Sequence, residues 1–171
     1  MNSRYRQESR SIYNNAISDY DRYYFDEKTG GFVLIHENHN INDSERFIAE
    51  VFARLGNRVT LLDERAESGV KTPDADINGD IWEFKELSPD AVSIKNTIQR
   101  GVASGKKSAP NVAYYINHNR ADIRDINRGI TRALVWDTDE YLQKLALVFN
   151  DGSLQLLSRE ELDNGECFRE F

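Results

Sequence analysis

The sequence predicts an α/β (α+β) fold in which a mixed sheet is flanked by helices. The core order is helix–strand–strand–strand–helix–strand, with an extra helix before it and a hairpin after it. Three observations carry this. Asn78-Gly79 lies between two alternating segments, and both positions of a two-residue type I′ turn need φ > 0, which Asn and Gly reach at least cost. Apolar residues recur at helical spacing in four separate stretches. Short β-branched and aromatic runs stand between and after them.

In chain order, Tyr13, Ile17, Tyr20 and Tyr24 follow helical spacing and predict an amphipathic helix ending near Asp26. Thr29-Gly30-Gly31 breaks it, and 32–35 reads as a short apolar strand. These elements make an N-terminal arm, residues 1–40, ahead of a main domain over 41–171. His36 and His39 then follow, read as strand-end or loop histidines, although a paired catalytic or metal role is chemically open to imidazole. Asn42 with Glu45 three positions on is a capping box, and Phe47, Ile48, Val51, Phe52 and Leu55 form the apolar stripe of the helix it opens. Gly56 ends that helix. Residues 58–62 form the next strand, and 63–70 a charged loop ending in Ser68-Gly69. After the central hairpin, 93–107 reads as a helix on Ile94, Ile98 and Val102, and 112–116 as a strand. Residues 122–134 make another helix, and 144–149 and 154–157 pair about Asp151-Gly152. A capped turn starts at Ser158 with Glu161.

The hairpin is the informative stretch. About Asn78-Gly79, Ile77 should face Asp80, Ala75 face Trp82, and Asp74 face Glu83. Side chains alternate along each strand. One face therefore carries Pro73, Ala75, Ile77, Trp82 and Phe84, and the other Thr72, Asp74, Asp76, Ile81, Glu83 and Lys85. Opposed residues have Cβ atoms about 4.5–5.5 Å apart, so like charges there are destabilising unless something compensates. A divalent cation held by oxygen ligands would do so, with Asp74 and Glu83 as its main ligands. Lys85, diagonal to Asp74, would reach the same place and stabilise developing negative charge. Asp74-x-Asp76-x-Asn78-Gly79 also matches the opening of a calcium loop, but Lys85 stands where the closing Glu is required.

Pro73-Asp74 followed by Glu83-Phe84-Lys85 resembles the PD-(D/E)XK signature of restriction-endonuclease-like nucleases. The longer string from Lys71 to Lys85 more narrowly resembles the C-terminal toxin nuclease domains of CdiA-type contact-dependent growth inhibition proteins. The resemblance implies a restriction-endonuclease-like core and a hydrolase acting on RNA, tRNA in particular. It implies catalytic Asp74, Glu83 and Lys85 and a Mg²⁺ or Mn²⁺ cofactor on Asp74 and Glu83, with Asp76 and Glu45 as weaker ligand candidates. It also implies a cognate immunity protein as partner. The alternatives are a metal-independent ribonuclease using His36 or His118 as general acid or base, and a binding module on the same fold that does no chemistry.

The formal net charge of −7 runs against simple nucleic-acid affinity, but the cations are segregated. Lys95, Arg100, Lys106, Lys107, Arg120, Arg124, Arg128 and Arg132 fall between residues 93 and 132, where the only acids are Asp122 and Asp125. Spacing of four places Arg120, Arg124, Arg128 and Arg132 along one helix face, a stripe suited to a phosphate backbone. Lys71, Lys95 and Arg100 are the other expected phosphate contacts. Cys167 is the single cysteine, so no internal disulfide forms. No apolar run reaches the roughly 18 residues of a membrane span. The chain is therefore expected to be soluble and to act in a cytoplasm.

Overall fold

The structure, a computed structural model, describes residues 2–65 and 71–170. The second half of the charged loop, with Ser68-Gly69, lies outside the described residues. Among those described, the strands are hydrogen-bonded in sequence order, β1 to β8, in one mixed sheet, and the chain divides into two compact units, Met1–Trp82 and Glu83–Phe171.

In the first unit, helix α1 (Ser3–Asn14) precedes strands β1 (Tyr20–Phe25) and β2 (Phe32–His36). The single long helix expected up to Asp26 is corrected here. Tyr20 and Tyr24 belong to a strand antiparallel to β2, with a register shift between Arg22 and Tyr24. That irregularity breaks the period-2 alternation that marks a strand, while the tyrosines happen to keep a helical spacing. Helix α2 (Asp43–Arg54) then crosses to β3 (Arg58–Leu61), which runs parallel to β2. The capping box forms as read: Asn42 Oδ1 accepts from Glu45 N–H at 2.9 Å, and Glu45 Oε2 accepts from Asn42 N–H at 3.3 Å. Ile48, Val51 and Phe52 are buried, whereas Leu55 of the expected stripe is exposed at the helix C-cap.

Strands β4 (Ala75–Ile77) and β5 (Asp80–Leu87) form the expected hairpin. Its register is Ala75↔Trp82, Asp76↔Ile81 and Ile77↔Asp80. Asn78 (φ 55) and Gly79 (φ 93) both occupy the left-handed region the turn demands. The Asn78 side chain accepts from Arg58 N–H at 2.8 Å and donates to Asn57 at 2.7 Å, tying the turn to the start of β3. Ala75, Ile77 and Trp82 are buried, and Trp82 meets Phe52 of α2 with ring centroids 5.4 Å apart.

In the second unit, β5 continues through Phe84, also buried, to Leu87. Helix α3 (Ile94–Gly105), strand β6 (Asn111–Ile116), helix α4 (Ile123–Val135) and strand β7 (Lys144–Phe149) follow, with β6 and β7 parallel. Strand β8 (Leu154–Ser158) returns antiparallel to β7, and the short helix α5 (Arg159–Asp163) is capped by Ser158 and Glu161 as expected. Ile98 and Val102 of α3, Ile126 and Ile130 of α4, and Leu145 and Leu147 of β7 form one buried core. Phe168 joins it, held by two hydrogen bonds to the Asn127 side chain.

Candidate functional site

The C-terminal ends of the parallel strands β2 and β3 gather the polar groups of the first unit. Leu62, just past β3, uses both backbone groups there. Its N–H donates to the Asp74 carbonyl at 2.9 Å, and its carbonyl accepts from His39 Nδ1 at 2.8 Å. Asp74 N–H donates in turn to the Trp82 carbonyl at 3.1 Å. The backbone of Asp74 is thus fixed from both sides at the start of β4.

His39 has a side chain with no solvent exposure, and its Nε2 lies 3.1 Å from Glu45 Oε2 and 3.6 Å from Glu64 Oε1. Glu45 is held by the capping box, and Glu64 Oε2 accepts from Asn40 N–H at 3.1 Å. One ligand atom from each of His39, Glu45 and Glu64 falls within 4.8 Å of the other two. Burial alone would lower the His39 pKa. The hydrogen bonds to Glu45 and Leu62 and the charges of Glu45 and Glu64 outweigh it and raise the pKa above its ordinary 6.5.

His36 sits edge-on to Tyr20. Its Nδ1 accepts from Asn38 N–H at 3.1 Å, and its Nε2 is 3.9 Å from Asp63. Asp76 is occupied locally, with Oδ1 accepting from Gly79 N–H at 2.8 Å, so that its carboxylate serves the turn. Lys71 is exposed ahead of β4.

In the second unit, Glu83 is a carboxylate only 2% exposed, facing Lys85 two residues along β5 with Nζ 3.3 Å away. Alternation places both side chains on one face of the strand. His118 is engaged through both ring nitrogens, Nε2 donating to the Ala91 carbonyl and Nδ1 accepting from Arg120 N–H.

The cationic stripe is partly neutralised. Asp122 is the N-cap of α4, so Arg120 precedes the helix and does not extend its face. Arg124 binds Asp122 at 2.9 Å, and Arg128 lies 3.5 Å from Asp125. Among the described residues, Lys95, Arg100, Arg120 and Arg132 have no carboxylate within 4 Å. Lys95, Arg128 and Arg132 line one recess with Asn127 and Thr131.

The structure therefore brings Glu83 together with Lys85, and Glu45 together with His39 and Glu64. Sequence reading missed Glu64 altogether and set His39 aside. These residues come from two loops and a helix terminus, 25 positions apart between His39 and Glu64, and no periodicity links them. The one available signal was Glu45, whose capping role already brings its carboxylate back over the loop before α2.

No curated protein matches the chain. A solved CdiA-CT/CdiI toxin and immunity complex from Burkholderia pseudomallei is similar at 18% identity and a TM-score of 0.47, covering 72% of this chain and 98% of that one. Residues 71–154, the stretch holding Asp74, Glu83, Lys85 and the cationic helix, match the family of contact-dependent growth inhibition CdiA C-terminal domains.

Proposed function

We propose that the chain is a metal-dependent endonuclease that cleaves RNA, with tRNA as the expected substrate, and that it acts as a growth-inhibition toxin in the cytoplasm of a target cell. The observation that carries this reading is the Glu83–Lys85 pair. A carboxylate 2% exposed and an amine 3.3 Å away stand on one strand, within the segment that resembles the CdiA C-terminal domains. Buried carboxylates are expensive unless they hold a cation, and here a partly exposed ammonium is kept beside one.

Asp74 and Glu83 are hard oxygen donors of the kind that suit Mg²⁺ or Mn²⁺, with Asp76 and Glu45 as weaker candidates. A bound cation would polarise a phosphoryl oxygen and lower the pKa of its water. Lys85, whose side chain keeps 23% of its exposure, would donate to a phosphate oxygen and offset the charge that builds on it. Lys71, Lys95, Arg100, Arg120, Arg124 and Arg128 would hold the flanking backbone, positioning it without reading sequence. A cognate immunity protein is the expected partner.

Purified protein incubated with total tRNA and with plasmid DNA, with and without EDTA, tests this. Cleavage of tRNA should need Mg²⁺ or Mn²⁺ and should disappear in Glu83→Gln and in Lys85→Ala. Undiminished cleavage in EDTA would overturn the metal-dependent reading in favour of histidine chemistry at His36 or His118. Binding without cleavage under either metal would leave a non-catalytic module.

A further inference from the structure

We infer that His39, Glu45 and Glu64 form a second metal site, of mixed nitrogen and oxygen ligands, selective for a Zn²⁺-class transition ion. The site shares only Glu45, a weaker candidate for Mg²⁺, with the nuclease reading; His39 and Glu64 have no part in that reading and carry the test.

The imidazole is the first reason. Nδ1–H donates to the Leu62 carbonyl, which fixes the ring and leaves Nε2 pointing at the two carboxylates. Metal-bound histidines are held in this way, with the second nitrogen bonded to a carbonyl or carboxylate that sets the tautomer. The ring is fully shielded from solvent, so its orientation does not have to be selected on binding.

Spacing is the second. Zinc–nitrogen and zinc–oxygen bonds of about 2.0–2.1 Å place neighbouring ligand atoms of a tetrahedral centre about 3.3 Å apart. The two measured edges, 3.1 Å to Glu45 and 3.6 Å to Glu64, bracket that value. Each carboxylate is also aimed by a backbone N–H, Asn42 for Glu45 and Asn40 for Glu64. Glu64 is 37% exposed, so the fourth position opens to solvent on its side. Three protein ligands and one open position are the arrangement of zinc sites that bind water or substrate.

The nitrogen ligand decides the metal class. Imidazole suits zinc and its neighbours, whereas Mg²⁺ takes oxygen ligands in near-octahedral geometry.

Co²⁺ serves as the spectroscopic probe and Zn²⁺ as its competitor, titrated into the full chain carrying Glu83→Gln so that the hairpin carboxylates do not contribute. The expected result is one tightly bound Co²⁺ with the intense visible absorption of low coordination number, displaced by Zn²⁺ and not by excess Mg²⁺. Adding Glu64→Gln should weaken binding by more than about tenfold, since loss even of a ligand's supporting partner costs about 10–100-fold. His39→Asn should abolish the absorption. Should that variant fail to fold, the exposed Glu64→Gln carries the test alone. Absence of the absorption in the Glu83→Gln chain, or affinities unchanged by Glu64→Gln, would overturn the site. Absence of tRNA cleavage by the unsubstituted chain, with Co²⁺ binding intact in the Glu83→Gln chain, would overturn the nuclease reading and leave this site standing.

Discussion

At the scale of single residues, the second unit holds two buried carboxylates, Glu83 and Asp137. Glu83 faces Lys85, whose side chain remains partly exposed. Asp137 is saturated: Lys106 at 2.9 Å, Arg159 at 2.7 Å, and the N–H groups of Tyr141 and Leu142 all converge on it. That network joins the end of α3, the end of α4 and the start of α5, and it leaves no donor idle for chemistry. Burial alone would raise the Asp137 pKa, but the bonds from Leu142, Lys106, Arg159 and Tyr141 outweigh it and hold the carboxyl below its ordinary 3.8. A depressed carboxyl contributes stability that is full above the unfolded pKa and fades as pH falls through the folded one. Acid unfolding followed by circular dichroism should therefore steepen below about pH 4. Asp137→Asn should remove that component and cost about 3 kcal/mol at neutral pH, because largely shielded Lys106 loses its counter-charge while Arg159 keeps only Asp163.

At the scale of elements, the fold was legible wherever local chemistry and tertiary need agree. The capping box at Asn42, the Asn78-Gly79 turn and the apolar lines of α3 and α4 stand as read, because each is decided by neighbours within four residues. Strand β1 was hidden by its bulge, and the tyrosine spacing imitated a helix. Gly129 is a position no periodicity explains. It lies inside α4, where Ala would ordinarily stabilise by about 1 kcal/mol. A Cβ there would stand 2.5 Å from the Lys95 carbonyl and 2.9 Å from Ile98 Cβ, both on α3. The close approach of the two helices needs the missing methyl. Gly129→Ala should therefore destabilise, by about 1–3 kcal/mol as overpacking does. A urea midpoint that rises instead would show that the helices can part without loss.

For the molecule as a whole, the candidate site was half legible. Glu83 and Lys85 were visible because the hairpin fixes their alternation, while His39 and Glu64 needed long-range loop contacts. Charge follows the same division between count and placement. A net charge of −7 coexists with four cations, Lys95, Arg100, Arg120 and Arg132, that have no carboxylate within 4 Å among the described residues. Arg124 and Arg128 sit in the same stretch but are matched by Asp122 and Asp125. A cation already paired must give up that contact before it displaces counterions from phosphate, so the two sets should differ in what they add to binding. For single-stranded nucleic acid the slope of log affinity against log salt is about −0.7 per phosphate contact. Replacing Lys95, Arg120 and Arg132 with Ala should flatten the slope by about 2, taking three contacts at that value. Replacing Arg124 and Arg128 should change it by distinctly less per residue. Fluorescence anisotropy of the Glu83→Gln chain with labelled tRNA across a salt series measures both. Equal changes per residue would mean that the helix-borne acids do not compete with phosphate, and an unchanged slope in the triple variant would place the nucleic acid elsewhere.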